Sequence, residues 1–194
     1  SKNSILGIGI GVPGPVDAEK GVVYFFPNIP GWKNVPLKIL LQKSLGLPVF
    51  IDNRANLMSL AEARLGAAKG VKNALCLTLG TGVGGGVIIQ GKLYRGQDFV
   101  AGEIGHVPIN EKGPSCNCGG RACLEAYIGN SRILAQARKL FKRAISLEEL
   151  SALAKKQNAK ALKIWALVGK RLGVALSGAV NLLNLDAVVI GGGV

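Results

Sequence analysis

The sequence predicts an α/β protein whose strands are joined by crossover helices. Three observations carry that expectation. Short apolar segments and helically spaced ones follow each other in a strand, helix, strand order through the first half. Hydrophobic residues make up 48% of the chain and glycine reaches 28 residues, a composition suited to a core crossed by many tight turns. Beyond Asn130 the spacing becomes helical throughout. The 194 residues suffice for one substantial domain or two small ones.

Taken in order, Ile5–Val12 reads as a buried strand ending at the turn Pro13-Gly14-Pro15, and Gly21–Phe26 as a second strand. The Pro-bounded loop Pro27-Asn28-Ile29-Pro30-Gly31-Trp32 follows. Leu37–Leu45 fits a helix with Gly46 just past its end, and Pro48–Ile51 a short strand. Ala55–Lys69 carries Leu57, Leu60, Ala61, Leu65 and Ala68 at helical spacing, with Gly70 as the stop. Ala74–Leu79 and Gly86–Ile89 read as strands joined by a glycine turn, and Gln90-Gly91 turns the chain into Lys92–Tyr94. Ser146 and Glu149 form a capping-box pattern, and Ala159–Leu185 is a long apolar helical stretch. Asn53 sits at a strand-to-helix junction, where sites gather in open α/β sheets, and the expected hinge lies near Asp52–Arg54. There is no internal repeat and no low-complexity linker.

The formal net charge of +13 is concentrated. Between Ser131 and Arg171 there are 11 Lys/Arg against only Glu148 and Glu149. Such a face can attract anionic nucleotides, nucleic acid or an acidic partner. With sparse aromatics and no nucleic-acid motif, it reads first as a solvated helical surface. No apolar run reaches the roughly 18 residues of a membrane span, and no secretory signal opens the chain, so the expectation is a cytoplasmic protein with no membrane partner. Both ends fall inside apolar runs and read as cut from a longer protein.

Two segments carry chemistry. In Leu79-Gly80-Thr81-Gly82-Val83-Gly84-Gly85-Gly86, glycines let backbone N–H groups approach a phosphate closely, and Thr81 adds a hydroxyl. No Lys-Ser/Thr follows, so this is not a P-loop. In the second segment, His106, Cys116, Cys118 and Cys123 offer one imidazole and three thiolates, the ligand set of a closed structural zinc site. The mixed set favours zinc over copper or an iron–sulfur cluster, and the alternative is a reduced, metal-free loop. Cys76, alone in an apolar alternation, reads as a core residue. Glu103 and Glu125 flank the cysteine loop, and with Asn28 and Asn53 they supply groups that hydrogen-bond hydroxyls.

Gly102-Glu103-Ile104-Gly105-His106 followed by Cys116-x-Cys118-Gly119-x-x-x-Cys123-x-Glu125 resembles the signature of the ROK family of sugar kinases and transcriptional repressors. The Leu79–Gly86 turn resembles that family's second phosphate hairpin, Ile190–Gly193 its adenosine turn, and Pro27–Trp32 its sugar loop. The resemblance runs from Gly9 to the end of the chain and is closest to the family's glucokinases. It implies an actin-like ATPase (ribonuclease H-like) α/β fold of two lobes with the active site between them. Residues 1–52 would belong to the small lobe. Residues 53–194 would form the large lobe, with the zinc loop, the phosphate hairpin and the helical segment. It implies that Asn28, Asn53, Glu103, His106 and Glu125 bind a hexose, with His106 also on Zn²⁺ beside Cys116, Cys118 and Cys123. It implies that Gly80, Thr81 and Gly82 meet the phosphates of ATP with Mg²⁺, and that Gly191 and Gly192 lie near the adenosine. A homodimer is also implied, and nucleic-acid binding only where a helix-turn-helix precedes this chain.

Three departures qualify the implied phosphorylation of a glucose-like sugar at its 6-hydroxyl. The family's Asn-Asp-Ala-Asn is here Asn53-Arg54-Ala55-Asn56, so Arg54 stands where the family's aspartate acts as general base. A guanidinium stays charged and accepts no proton. Asp52, two residues earlier, is the weak substitute candidate. The family's upstream Asp-x-Gly-Gly-Thr type phosphate segment is not in this sequence, and Ala122 replaces a usual glycine before Cys123. The alternatives are the sugar-sensing domain of a ROK repressor and a sugar-binding pseudo-kinase.

Overall fold

A computed structural model describes residues 4–26 and 29–193. Strand β1 (Ile8–Val12) pairs in parallel with β5 (Val49–Asn53), with Gly11 beside Asp52 in the register. Between them the chain forms an antiparallel sheet of β2 (Val16–Asp17), β3 (Val22–Phe25) and β4 (Lys33–Val35), and then helix α1 (Leu37–Leu45). Val12, Val16, Val23, Val49 and Ile51 close a first core. The two short strands β2 and β4 exceed the sequence reading, which placed only the longer apolar runs in strands.

A third, four-stranded sheet has the order β8-β7-β6-β9, made from β6 (Ala74–Leu79), β7 (Val83–Ile89), β8 (Lys92–Tyr94) and β9 (Ala187–Gly192). Only β6 and β9 are parallel, and the crossover between them carries α3 (Glu125–Ile128), α4 (Asn130–Phe141), α5 (Leu147–Lys155) and α6 (Ala159–Leu183). β6 is apolar at nearly every position because both its faces are covered. Leu75, Leu77 and Leu79 pack towards α4–α6, while Ala74 and Cys76 join Ile88 and Ala68 on the side of helix α2 (Arg54–Leu65). Cys76 is fully buried and its thiol is pushed up by that burial, as befits a core residue.

Two boundaries differ from the sequence reading for local reasons. Helix α2 ends at Leu65 rather than Lys69, because the Glu62 carboxylate turns back to accept the Ala67 N–H at 2.7 Å. Strand β7 begins at Val83, so Gly84, Gly85 and Gly86 lie in the strand and only residues 80–82 form the turn. No uninterrupted apolar run is long enough to cross a membrane, but helix α6 passes that test by length and composition alone, as the core helix of a globular domain can. It nonetheless carries Lys160, Lys163, Lys170 and Arg171, and buries Ala161, Ile164, Val168 and Ala175 in the core against its neighbouring helices.

Candidate functional site

The first residues of β7 are the point where the chemistry-bearing segments meet. A Cβ at Gly84 would lie 3.0 Å from Ala55 Cβ, one at Gly85 2.8 Å from Ile104 Cγ2, and one at Gly86 2.3 Å from Ser59 Oγ. The glycines therefore let α2 and the segment around Glu103 lie directly on the strand. At the same end, Val83 N–H donates to Glu125 Oε2 at 2.8 Å. Gly80 N–H closes the turn on Gly82 O at 2.9 Å, and Asn130 N–H braces it from α4 at 2.9 Å to Gly80 O. Thr81 stands exposed at the tip. The start of α2, the 80–82 turn, Glu103 and Glu125 are thus assembled around one strand end.

Glu103 and Glu125 are close enough to influence one another. Partial burial pushes the Glu103 carboxyl above its ordinary range, His106 opposes that shift, and the charge of Glu125 adds to it. His106 follows on a short 3-10 helix, Ile104–His106. Its Nε2 is 3.9 Å from Glu103 Oε2, and its Nδ1 is 3.6 Å from Cys116 Sγ. One ring nitrogen therefore serves the carboxylate side and the other the cysteine side.

The Nδ1 or Nε2 of His106 and the sulfurs of Cys116, Cys118 and Cys123 lie within 4.8 Å of one another. Zn–S bonds of about 2.3 Å place tetrahedral ligands about 3.8 Å apart. The observed 3.6 Å from Cys116 to His106 and 3.7 Å from Cys118 to Cys123 match that spacing. The loop is folded independently by Cys116 N–H to Gly120 O at 2.9 Å and Gly119 N–H to Cys116 O at 3.0 Å. Burial, reinforced by Cys118 and Cys116, pushes the Cys123 thiol up to about 12, while a backbone hydrogen bond from Gly120 draws Cys118 down. A cation bound by thiolates removes the conflict among three crowded thiols, so the donor set fits a zinc ion. Ala122 sits in this loop at φ 56, which explains why glycine suits the position.

Asp52, Asn53 and Arg54 are consecutive but have separate surroundings. Asp52 is buried, and both its oxygens are engaged. Oδ1 accepts from Asn53 N–H at 2.7 Å and Asn56 Nδ2 at 3.1 Å, while Oδ2 accepts from Arg95 Nε at 3.0 Å and Nη2 at 2.6 Å. Asn53 caps α2 through Ala55 N–H at 2.7 Å and donates Nδ2 to Gly14 O at 3.0 Å. Arg54 is exposed, and its stem crosses β1, since a Cβ at Gly11 would lie 3.0 Å from Arg54 Cγ. A cation in the first turn of a helix opposes the macrodipole by roughly 0.3–1 kcal/mol. Asn28 lies outside the described residues.

Gly192 adopts φ 124, and a Cβ there would lie 2.0 Å from Leu79 O, whereas a side chain at Gly191 would reach only Leu77 O at 4.0 Å. Gly193 N–H bonds Leu79 O at 3.0 Å, so β6 and β9 end side by side. Over these ends runs an open groove of about 580 Å³, walled by Leu79, Lys155, Trp165, Val168 and Gly169, and a second one reaches Gly193 past Lys155. Grooves at the carboxyl ends of parallel strands are where ligands bind in α/β sheets. Lys155, Trp165 and Arg95 were not singled out from the sequence, because each reaches its place through tertiary packing. Asn130 was also missed, and its Oδ1 is buried without a hydrogen-bond partner among the described residues.

The ROK family model matches residues 1–194. A glucokinase from Thermotoga maritima is 40% identical over 201 residues, covering 96% of this chain and 63% of its own length. A xylose repressor from Caldicellulosiruptor bescii is 38% identical over 200 residues, covering 96% of this chain and 50% of its own. Among solved structures, a ROK family glucokinase from Streptomyces griseus in complex with glucose and AMPPNP superposes with a TM-score of 0.88 at 32% identity, over 98% of this chain and 66% of that one. The structural neighbours are ROK sugar kinases of the actin-like ATPase fold, so the fold class expected from the sequence holds. The chain spans less than two thirds of the length of these curated relatives.

Proposed function

The chain belongs to the ROK family, and from that premise we propose that it is the sugar- and ATP-binding portion of a sugar kinase whose base position is occupied by Arg54. The observation that carries this reading is the gathering of Glu103, Glu125, the 80–82 turn and the start of α2 at one end of β7. Glu103, Glu125 and Asn53 accept hydroxyl hydrogen bonds from a glucose-like hexose, and His106 Nε2 donates one. Backbone N–H groups of Thr81 and Gly82 meet the phosphates of ATP, beside Gly80, whose own N–H closes the turn on Gly82 O, and Mg²⁺ would neutralise charge at the transferred phosphoryl group. The base lies in the groove beside Trp165 and Lys155, near Gly191 and Gly192. The proposed lobe boundary at residues 52 and 53 has the first core before it in the chain and the cores of the four-stranded sheet after it.

Cys116, Cys118, Cys123 and His106 would hold a structural zinc ion, which would supply cross-linking and no reaction chemistry. With Nδ1 on the cysteine side, His106 would keep its hydrogen on Nε2, on the side where the hexose is proposed to bind. In the reaction the 6-hydroxyl oxygen attacks the γ-phosphorus, ADP leaves, and the hydroxyl proton must pass to a base. Arg54 cannot take it, and Asp52 is committed to Arg95, Asn53 and Asn56. Turnover therefore falls roughly 10²–10⁴-fold below that of an Arg54→Asp variant.

A second reading, the sensor domain of a repressor, is favoured by this same pairing of an inert Arg54 with an engaged Asp52 and by the xylose repressor's similarity. A coupled kinase assay with a hexose panel, beside Arg54→Asp, tests the proposal. Activity restored in the variant supports it. Silence in both proteins, with hexose still bound, moves the assignment to the sensor. Absence of hexose binding in both refutes the pocket.

A further inference from the structure

We propose that Arg95 is a positioning residue, and that the segment from Arg95 to Ala101 is a strut setting the Asn53 side of the pocket against the Glu103 side. The inference rests on the sugar-pocket reading above. Arg95 follows β8 at the edge of the four-stranded sheet, while Asp52 lies on β5 in the two-stranded β1–β5 sheet, so the pair joins those two sheets. Two guanidinium nitrogens converge on Asp52 Oδ2, and the other oxygen is taken by Asn53 N–H and the Asn56 amide. The carboxylate therefore cannot rotate, and the residue that caps α2 is fixed with it.

The strut is a closed unit. Ala101 N–H returns to Arg95 O at 3.0 Å. Midway, the Phe99 ring lies 6.4 Å from that of Tyr24 on β3, a contact with the antiparallel β2–β4 sheet inserted between β1 and β5. At its far end Gly102 lies on β7, since a Cβ there would be 2.8 Å from Gly85 O, and Ile104 is buried against the same strand. Glu103 sits between these two anchors. Asn53 and Glu103 are thus held in register through one ion pair and one ring contact. A buried ion pair adds little net stability over an apolar isostere but fixes geometry, which suits a positioning role.

The test uses the full-length, zinc-loaded protein with Arg95→Gln and Arg95→Lys. Glucose affinity is measured by calorimetry, AMP-PNP affinity in parallel, metal content by mass spectrometry, and amide hydrogen exchange across residues 53–57 and 101–106. Arg95→Gln is expected to weaken glucose binding at least tenfold, to leave AMP-PNP affinity within twofold and zinc unchanged, and to speed exchange in both segments. Arg95→Lys, which keeps the charge without the fork, recovers part of the loss. Equal glucose affinity with unchanged exchange overturns the proposal, and so does a parallel fall in both ligands and in zinc, the mark of mere unfolding. If Arg95→Gln does not fold, the same criteria are read from Arg95→Lys. If the parent protein binds no glucose, the sugar reading fails, and coupled acceleration of exchange in the two segments still decides whether the strut exists.

Discussion

Replacing Gly86 by alanine separates packing from ligand binding in the glycine-rich segment. The new Cβ would lie 2.3 Å from Ser59 Oγ, 2.8 Å from Ser59 Cβ and 3.2 Å from Ala55 O. The hydroxyl is not free to swing aside without cost, because it donates to Ala55 O at 2.7 Å. The Ser59 Cβ is fixed to the backbone of α2. Ordinary contact begins at 3.4 Å, so the helix must rise by the difference, 3.4 − 2.8 = 0.6 Å. Overpacking of this kind costs roughly 1–3 kcal/mol. For a chain of this size each kcal/mol moves the melting temperature by about 2–4 °C, giving a fall of roughly 2–12 °C. Urea denaturation followed by circular dichroism should show an earlier midpoint with an unchanged slope. Adding Ser59→Ala removes the 2.3 Å contact but leaves the 2.8 Å one, so it should recover only part of the loss. Gly80→Ala, with nothing within 4 Å, serves as the control. A parental midpoint for Gly86→Ala would refute the close packing of α2 on β7.

Gly82→Ala should behave in the opposite way. Its methyl meets only the carboxylate of Glu125, at 2.3 Å from Oε2, which can turn aside at the loss of its Val83 N–H bond, so stability should fall by about 1 kcal/mol while hexose and AMP-PNP affinities drop, as calorimetry will show. Cys116→Ser should lose stoichiometric zinc and, with it, hexose binding, and metal retained at one ion per chain would disprove the four-ligand cluster. Ala122→Gly relieves about 1–2 kcal/mol of left-handed strain, loses about 0.8 kcal/mol of methyl burial and gives up about 0.5–1 kcal/mol of backbone entropy. The melting temperature should therefore move by only a few degrees, and a large gain would show that the loop is strained elsewhere.

Local chemistry was legible and distant pairing was not. The cysteine–histidine cluster could be read because three of its ligands fall within eight residues of each other, so spacing alone nearly fixes their meeting. The helix cap at Ser146 follows from a short-range rule, and its side chain accepts the Glu149 N–H. By contrast, three glycines in a row read as turn, since no window shows that a helix lies flat upon them. Arg95 is 43 residues from Asp52, and nothing near either residue announces the other. Trp165 and Lys155 read as ordinary members of basic helices until the sheet places Leu79 and Gly193 beside them.

The pairing at the hinge also explains why Asp52 does not offset the charge of Arg54. The two lie two residues apart, yet Asp52 belongs to the end of β5 and Arg54 opens a helix. The chain's change of course sends the Arg54 stem over Gly11 and leaves the Asp52 carboxylate to Arg95 across the sheets. Freeing Asp52 to accept a proton would require breaking that pair, at a cost of roughly 3–5 kcal/mol for a buried carboxylate left behind, towards the lower end because Arg95 is 33% exposed. Each factor of ten in rate is worth about 1.4 kcal/mol, so an Asp52 base would sacrifice roughly two to three orders of magnitude before it acted. That is the same range as the advantage a general base confers. Recruitment of Asp52 thus brings no net gain, and the single exchange of Arg54 for aspartate is the shorter route to catalysis in this fold.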